Sequence, residues 1–330
     1  MKYHEYKWSV LGKYRNELYG LSIISVILLH YFECVTKLPE KTWWSIVGKL
    51  YNGAIGSVGV DIFLFLSGFC IFYSLSKNER LSDFYLRRFK RVILPYLLFG
   101  IVFWFVKDVL VMKLSIRELV LDFSTISFWI KGTRTFWYVS FIAILYLISP
   151  ALYGCCKRMS STLICIAVWF GACAGILLIN REYFFMVEIA ILRGPLYILG
   201  MFCGNLAQKN ASIPKALWSV LPLSIPLKII SNFLEIPFYR AFNGLYALLL
   251  IMMYILLREN VNLKAEKLKS ILTVAGKYSF ELYIIHVGLR NLAAGIGLSE
   301  ALANGWYLLL IAISIPLSYV LYKLQIIKVE

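Results

Sequence analysis

The chain has 330 residues, 60% of them hydrophobic, with mean hydropathy +0.74 and net charge +16. A water-soluble domain of this size would expose too much apolar surface to stay dispersed, whereas a bilayer solvates that surface. The positive charge falls mostly between hydrophobic runs. It therefore reads as membrane topology and not as a nucleic-acid partner.

The N-terminal head carries His4 and four cations, and a long apolar run follows from Leu18 with no small-residue cleavage pattern. It reads as a retained anchor and not as a cleaved leader. Apolar runs of spanning length then follow at 17–35, 56–76, 90–112, 136–153, 162–179, 188–206, 214–231, 239–257, 272–290 and 303–324. Each is long enough for a membrane helix, which pairs its own backbone groups in hydrocarbon. The run at 124–130 is too short to span and is expected to be interfacial or re-entrant. The predicted fold is thus all-α, a bundle of about ten transmembrane helices forming one domain over 1–330. No internal repeat is evident.

With cations at the edge of a run assigned to the adjoining segment, 20 of the 34 Lys and Arg fall in alternate segments that include both termini, 10 in the other segments and 4 within runs. That bias predicts both ends in the cytoplasm. The densest inner loop runs from Lys77 to Arg91 and holds Arg80, Arg87, Arg88, Lys90 and Arg91. Arg88 and Arg91 are three apart, on one face of a helix, and arginine grips phosphate through a bidentate fork. Anionic headgroups and the positive-inside rule would place arginine here as well.

Seven cysteines (Cys34, Cys70, Cys155, Cys156, Cys165, Cys173 and Cys203) show neither CxxC nor zinc spacing. They read as small buried hydrophobes, and no metal is expected. Ionisable groups inside a membrane are functional candidates by default. Four stand out: His30, Asp61, Arg193 and His286. Counted along their runs, all four lie roughly 20 Å above the inner surface. This predicts one polar pocket in the outer half of the bilayer. Asp61 is the first candidate to orient His30, and His286 the second. A network of the same groups could instead serve only to hold helices together.

Several segments together resemble the acyltransferase-3 family of bacterial membrane O-acyltransferases. Arg15-Asn16-Glu17-Leu18-Tyr19-Gly20 leading to His30-Tyr31 is similar to its first helix. Gly59-Val60-Asp61-Ile62-Phe63 through Ser67-Gly68-Phe69 is similar to its second, and Phe84 to Pro95 to the basic entry of its third. Phe136-Trp137-Tyr138-Val139-Ser140, Arg193-Gly194-Pro195 and Gly276-Lys277-Tyr278-Ser279-Phe280-Glu281 through His286 follow in order.

The resemblance implies acyl transfer from cytoplasmic acyl-CoA, usually acetyl-CoA as a co-substrate, to a hydroxyl of an envelope glycan. It implies a multi-pass protein of the bacterial cytoplasmic membrane with no permanently bound cofactor. It makes His30 catalytic, with Asp61 and His286 beside it. Arg88 and Arg91 become donor-binding, and Tyr19, Ser67, Arg193 and Glu281 pocket residues. Many members carry arginine where this chain has Tyr19, and Arg15, one turn earlier, is expected to substitute for it. A polytopic transporter or flippase of lipid-linked sugars is the alternative, since buried His, Asp and Arg would serve it too. A non-catalytic scaffold is a third reading.

Overall fold

The computed structural model describes residues 6–36, 42–77, 80–234, 236–260 and 266–327. His4 and positions 78–79 of the basic loop lie outside them. Among the described residues the chain is almost wholly helical, and its one β-type pairing is an isolated bridge between Lys7 and Ser212. Among the described residues, nine helices are long and apolar enough to cross a membrane. We number these helices α1 (Arg15–Val35), α2 (Trp43–Leu75), α3 (Leu81–Val111), α4 (Trp137–Cys155), α5 (Met159–Ile179), α6 (Arg181–Gln208), α7 (Lys215–Phe233), α8 (Tyr239–Asn260) and, last in the chain, α10 (Tyr307–Ile327).

The run expected at 272–290 departs from a simple span. It breaks at Tyr278 into a 12-residue helix, Glu266–Lys277, and the 17-residue α9, Ser279–Gly295. Seventeen residues is the lower end of what crosses a bilayer. The short run at 124–130 falls in a pair of small helices, Ile116–Phe123 and Ile126–Lys131. The seven cysteines are all free thiols. Between α4 and α5, burial pushes the Cys156 thiol up to about 12.

Side chains that face outward are apolar where lipid would lie. Leu163, Ile164, Val168, Leu178 and Ile179 on α5 are exposed, as is Phe233 at the end of α7. Such a surface belongs in hydrocarbon.

The chain divides into two compact units. The first holds Met1–Ser22, Val58–Phe84 and Leu145–Gly276. Its core packs Leu18, Ile62, Phe65, Leu66, Phe69, Ile251, Met252 and Ile255 together. Glycines let its helices approach closely. A Cβ on Gly68 would sit 2.1 Å from the Tyr197 carbonyl oxygen, and one on Gly200 would sit 2.1 Å from that of Phe65. Without a hydrophobic force between helices in lipid, such close backbone contact is what holds α2 to α6. A Cβ on Gly276 would likewise lie 1.8 Å from the Asn16 carbonyl oxygen, so the helix before the Tyr278 break is pressed onto the start of α1.

The second unit holds Ile23–Ser57, Tyr85–Ile144 and Lys277–Glu330. One cluster buries Cys34, Leu302, Tyr307 and Leu310. Another stacks Tyr96, Phe99, Phe103 and Trp104 around Phe136. Among the described residues four helical segments here have π geometry: Asn52–Gly56, Phe89–Ile93, Phe105–Val111 and Leu302–Trp306. Such wide turns redirect side chains and recur at functional positions.

Candidate active site

The four intramembrane groups form two pairs, one in each unit. In the second unit, His30 Nδ1 lies 3.0 Å from His286 Nε2, and His286 Nδ1 lies 2.8 Å from the Leu282 carbonyl oxygen. His286 is fully buried and His30 is half-buried. In the first unit, Arg193 Nε donates to Asp61 Oδ1 at 2.8 Å, and both side chains are almost wholly buried. The ring bonded to His30 is that of His286, the second candidate for orienting it, and Asp61, the first, is bonded to Arg193. Equal depth along a helix does not say which way a side chain faces, and the facing decides the pairing.

The contacts of His286 set the tautomers of both rings. A carbonyl oxygen can only accept, so His286 Nδ1 carries the proton and donates to Leu282. The neutral ring then presents Nε2 as an acceptor, and His30 Nδ1–H donates to it. This leaves His30 Nε2 with its lone pair. A histidine held this way is ready to take a proton at one defined atom.

The donor-side residues are placed differently from one another. Arg88 ends the helix Leu81–Arg88, and the π segment Phe89–Ile93 begins directly after it. The π segment interrupts the α-helical spacing on which a shared face for the i, i+3 pair rests. Arg91 Nη1 donates to Glu281 Oε1 at 2.7 Å, and its Nη2 donates to the Lys277 carbonyl oxygen at 3.2 Å. Gln325 Nε2 donates to the same Glu281 oxygen at 3.1 Å. Glu281 has no exposed surface, so Arg91 ties the basic segment to α9, five residues before His286.

Arg15 is exposed at the start of α1, with Nε 3.3 Å from Asn16 Oδ1. Tyr19 packs its ring 5.6 Å from Phe63, with its hydroxyl 4.0 Å from Cys70 Sγ. Ser67 is buried on α2. Tyr283 is buried in α9, its ring centroid 6.3 Å from that of His286 and 5.5 Å from that of Tyr138.

Several ion pairs escaped the sequence reading. Arg240 holds Glu188 at 3.1 Å and Arg258 holds Glu17 at 3.0 Å, both in the first unit. Arg290 holds Glu33 at 2.8 Å in the second. Lys228, buried on α7, lies over the Tyr246 ring. The signal available was a charged residue at or inside the end of an apolar run, which is also what a snorkelling side chain looks like.

A family model described as an acyltransferase domain matches residues 18–323 of the chain. No curated protein and no solved structure matches it.

Proposed function

The chain belongs to the acyltransferase-3 family of membrane acyltransferases, and from that premise we propose that it moves an acetyl group from cytoplasmic acetyl-CoA to a hydroxyl of an envelope glycan. The observation that carries the reading is the ordered relay from Leu282 through His286 to His30, which leaves one ring nitrogen unprotonated. His30 Nε2 takes the proton of the acceptor hydroxyl as its oxygen bonds to the thioester carbonyl carbon. The tetrahedral adduct collapses, the carbon–sulfur bond breaks, and the coenzyme A thiolate takes the proton back from His30. His286 is the positioning residue that fixes the tautomer and accepts from the imidazolium as it forms. Arg88 holds a donor phosphate at the inner end. Arg91 positions the start of α9 through Glu281, and Asp61 with Arg193 keeps α2 and α6 in register.

Purified protein in vesicles, given labelled acetyl-CoA and de-O-acetylated surface polysaccharide, should transfer label to the polysaccharide in an alkali-labile linkage. Transport of polysaccharide or its lipid-linked precursor with no acetyl transfer would favour the flippase reading.

The reading also requires the basic segment to face the cytoplasm, with both chain ends on that side of a bacterial plasma membrane. Ser82 and Asn180 are both exposed. With the native cysteines removed, a membrane-impermeant thiol reagent on intact cells should label Asn180→Cys and spare Ser82→Cys. Labelling of Ser82→Cys would reverse the donor side.

A further inference from the structure

We propose that Glu33, Arg290 and Tyr307 form an acceptor subsite that selects a neutral sugar by two neighbouring hydroxyls. The proposal rests on the glycan acyltransferase reading above and names how that site would recognise its acceptor.

The three residues lie together in the second unit. Arg290 Nη2 donates to Glu33 Oε2 at 2.8 Å. Glu33 follows His30 by three residues on α1, and Arg290 follows His286 by four on α9. Positions three or four apart share a helix face, so the ion pair repeats the histidine pair one turn further along the same two helices. One turn is about 5 Å, the scale of one pyranose ring. Arg290 also acts electrostatically on both histidines. A sugar bound at the ion pair therefore lies about one helical turn from the histidine pair.

The pair is open enough to be used. The side chain of Glu33 is 39% exposed and that of Arg290 is 21% exposed. A carboxylate accepts from one hydroxyl while a guanidinium donates to the next, which is the demand a vicinal diol makes. The pair is neutral as a whole, so it offers no net attraction to an anionic glycan.

Tyr307 supplies an independent observation. It is fully buried, yet its hydroxyl has no hydrogen-bond partner among the described residues. Buried hydroxyls are almost always bonded, and Tyr307 packs in one cluster with Cys34 and Leu289, the chain neighbours of Glu33 and Arg290. A sugar hydroxyl, which both donates and accepts, would satisfy it. The Tyr31 ring packs 5.7 Å from that of Tyr307 and is held by Trp44, whose indole N–H donates to the Tyr31 hydroxyl at 2.9 Å. The half-buried Tyr31 ring gives the subsite an aromatic face suited to the C–H face of a sugar.

The plain alternative is that the ion pair only fastens α1 to α9. A charge swap separates the two. In vesicles with labelled acetyl-CoA and de-O-acetylated surface polysaccharide as the probe, Glu33→Gln and Arg290→Gln should each raise the polysaccharide half-saturation about ten-fold or more, each hydrogen-bonded charge having roughly that weight. The donor half-saturation should stay within two-fold. The double variant Glu33→Arg/Arg290→Glu re-forms the bridge but exchanges donor and acceptor, so it should bind the polysaccharide as poorly as the single variants. Tyr307→Phe removes only the hydroxyl and should weaken the acceptor without moving the donor. Recovery of acceptor half-saturation in the swapped protein, or single variants that leave it unchanged, would overturn the subsite. Failure of the overall function would show differently, as a wild-type protein that transfers no acetyl group at all.

Discussion

Replacing His30 with alanine is expected to lower acyl transfer by ~10²–10⁴-fold, the usual weight of a general base, while the protein still folds and inserts. His30 follows Ile23, Val26, Ile27, Leu28 and Leu29 in sequence, on an apolar helix that has no need of imidazole to span a bilayer. His30→Gln should be as inactive, because an amide can bond to His286 but cannot take a proton. His286→Gln should lose less, since it changes the tautomer balance of His30 without removing the reacting nitrogen. Its pH profile should shift while that of Arg91→Lys should not. The measurement is initial rate against pH at saturating donor, with protein level read from the same membranes. A well-expressed His30→Gln protein with substantial activity would remove proton transfer from this position.

The second large effect concerns stability. Asp61→Ala leaves the almost wholly buried Arg193 guanidinium without its carboxylate, while its Nη1 still donates to the Ile189 carbonyl oxygen. Breaking a buried pair from one side is expected to destabilise by about 3–5 kcal/mol. Within a membrane the lone charge also opposes insertion. Asp61→Ala should therefore be lost from membranes or melt well below the wild type in detergent. Removing both charges, as Asp61→Leu/Arg193→Met, should recover most of that loss, because apolar replacements of a buried pair are often neutral or stabilising. If the recovered double variant is active, the pair is structural. If it is folded and dead, Asp61 or Arg193 reaches the chemistry.

The hydropathy of the chain marked where helices lie because a span is a local property: about 20 apolar residues in a row suffice. The breaks were not legible. The turn at Arg193 and the one at Tyr278 depend on what packs behind them, as at Gly276 against Asn16. The π segments likewise leave no mark on composition. The candidate residues were legible by type, since a histidine or aspartate in hydrocarbon is conspicuous. Their partners were not. His30 meets a residue 256 positions away, and Arg91 one 190 positions away. Nothing in the local pattern around Arg88 and Arg91 told one that would be tied to Glu281 from one that would not. Glu33 and Arg290 looked like ordinary charges at span ends, and only the pairing of α1 with α9 sets them beside the histidines.

The most direct measurement is the proton spectrum of surface polysaccharide from cells making the wild-type protein, the His30→Gln protein or neither. O-acetyl methyl signals should appear with the wild type alone and vanish on mild alkali treatment. The same signals in cells making a well-expressed His30→Gln protein would contradict His30 as the base. Spectra that do not differ between wild-type cells and cells lacking the protein would contradict glycan acetylation itself.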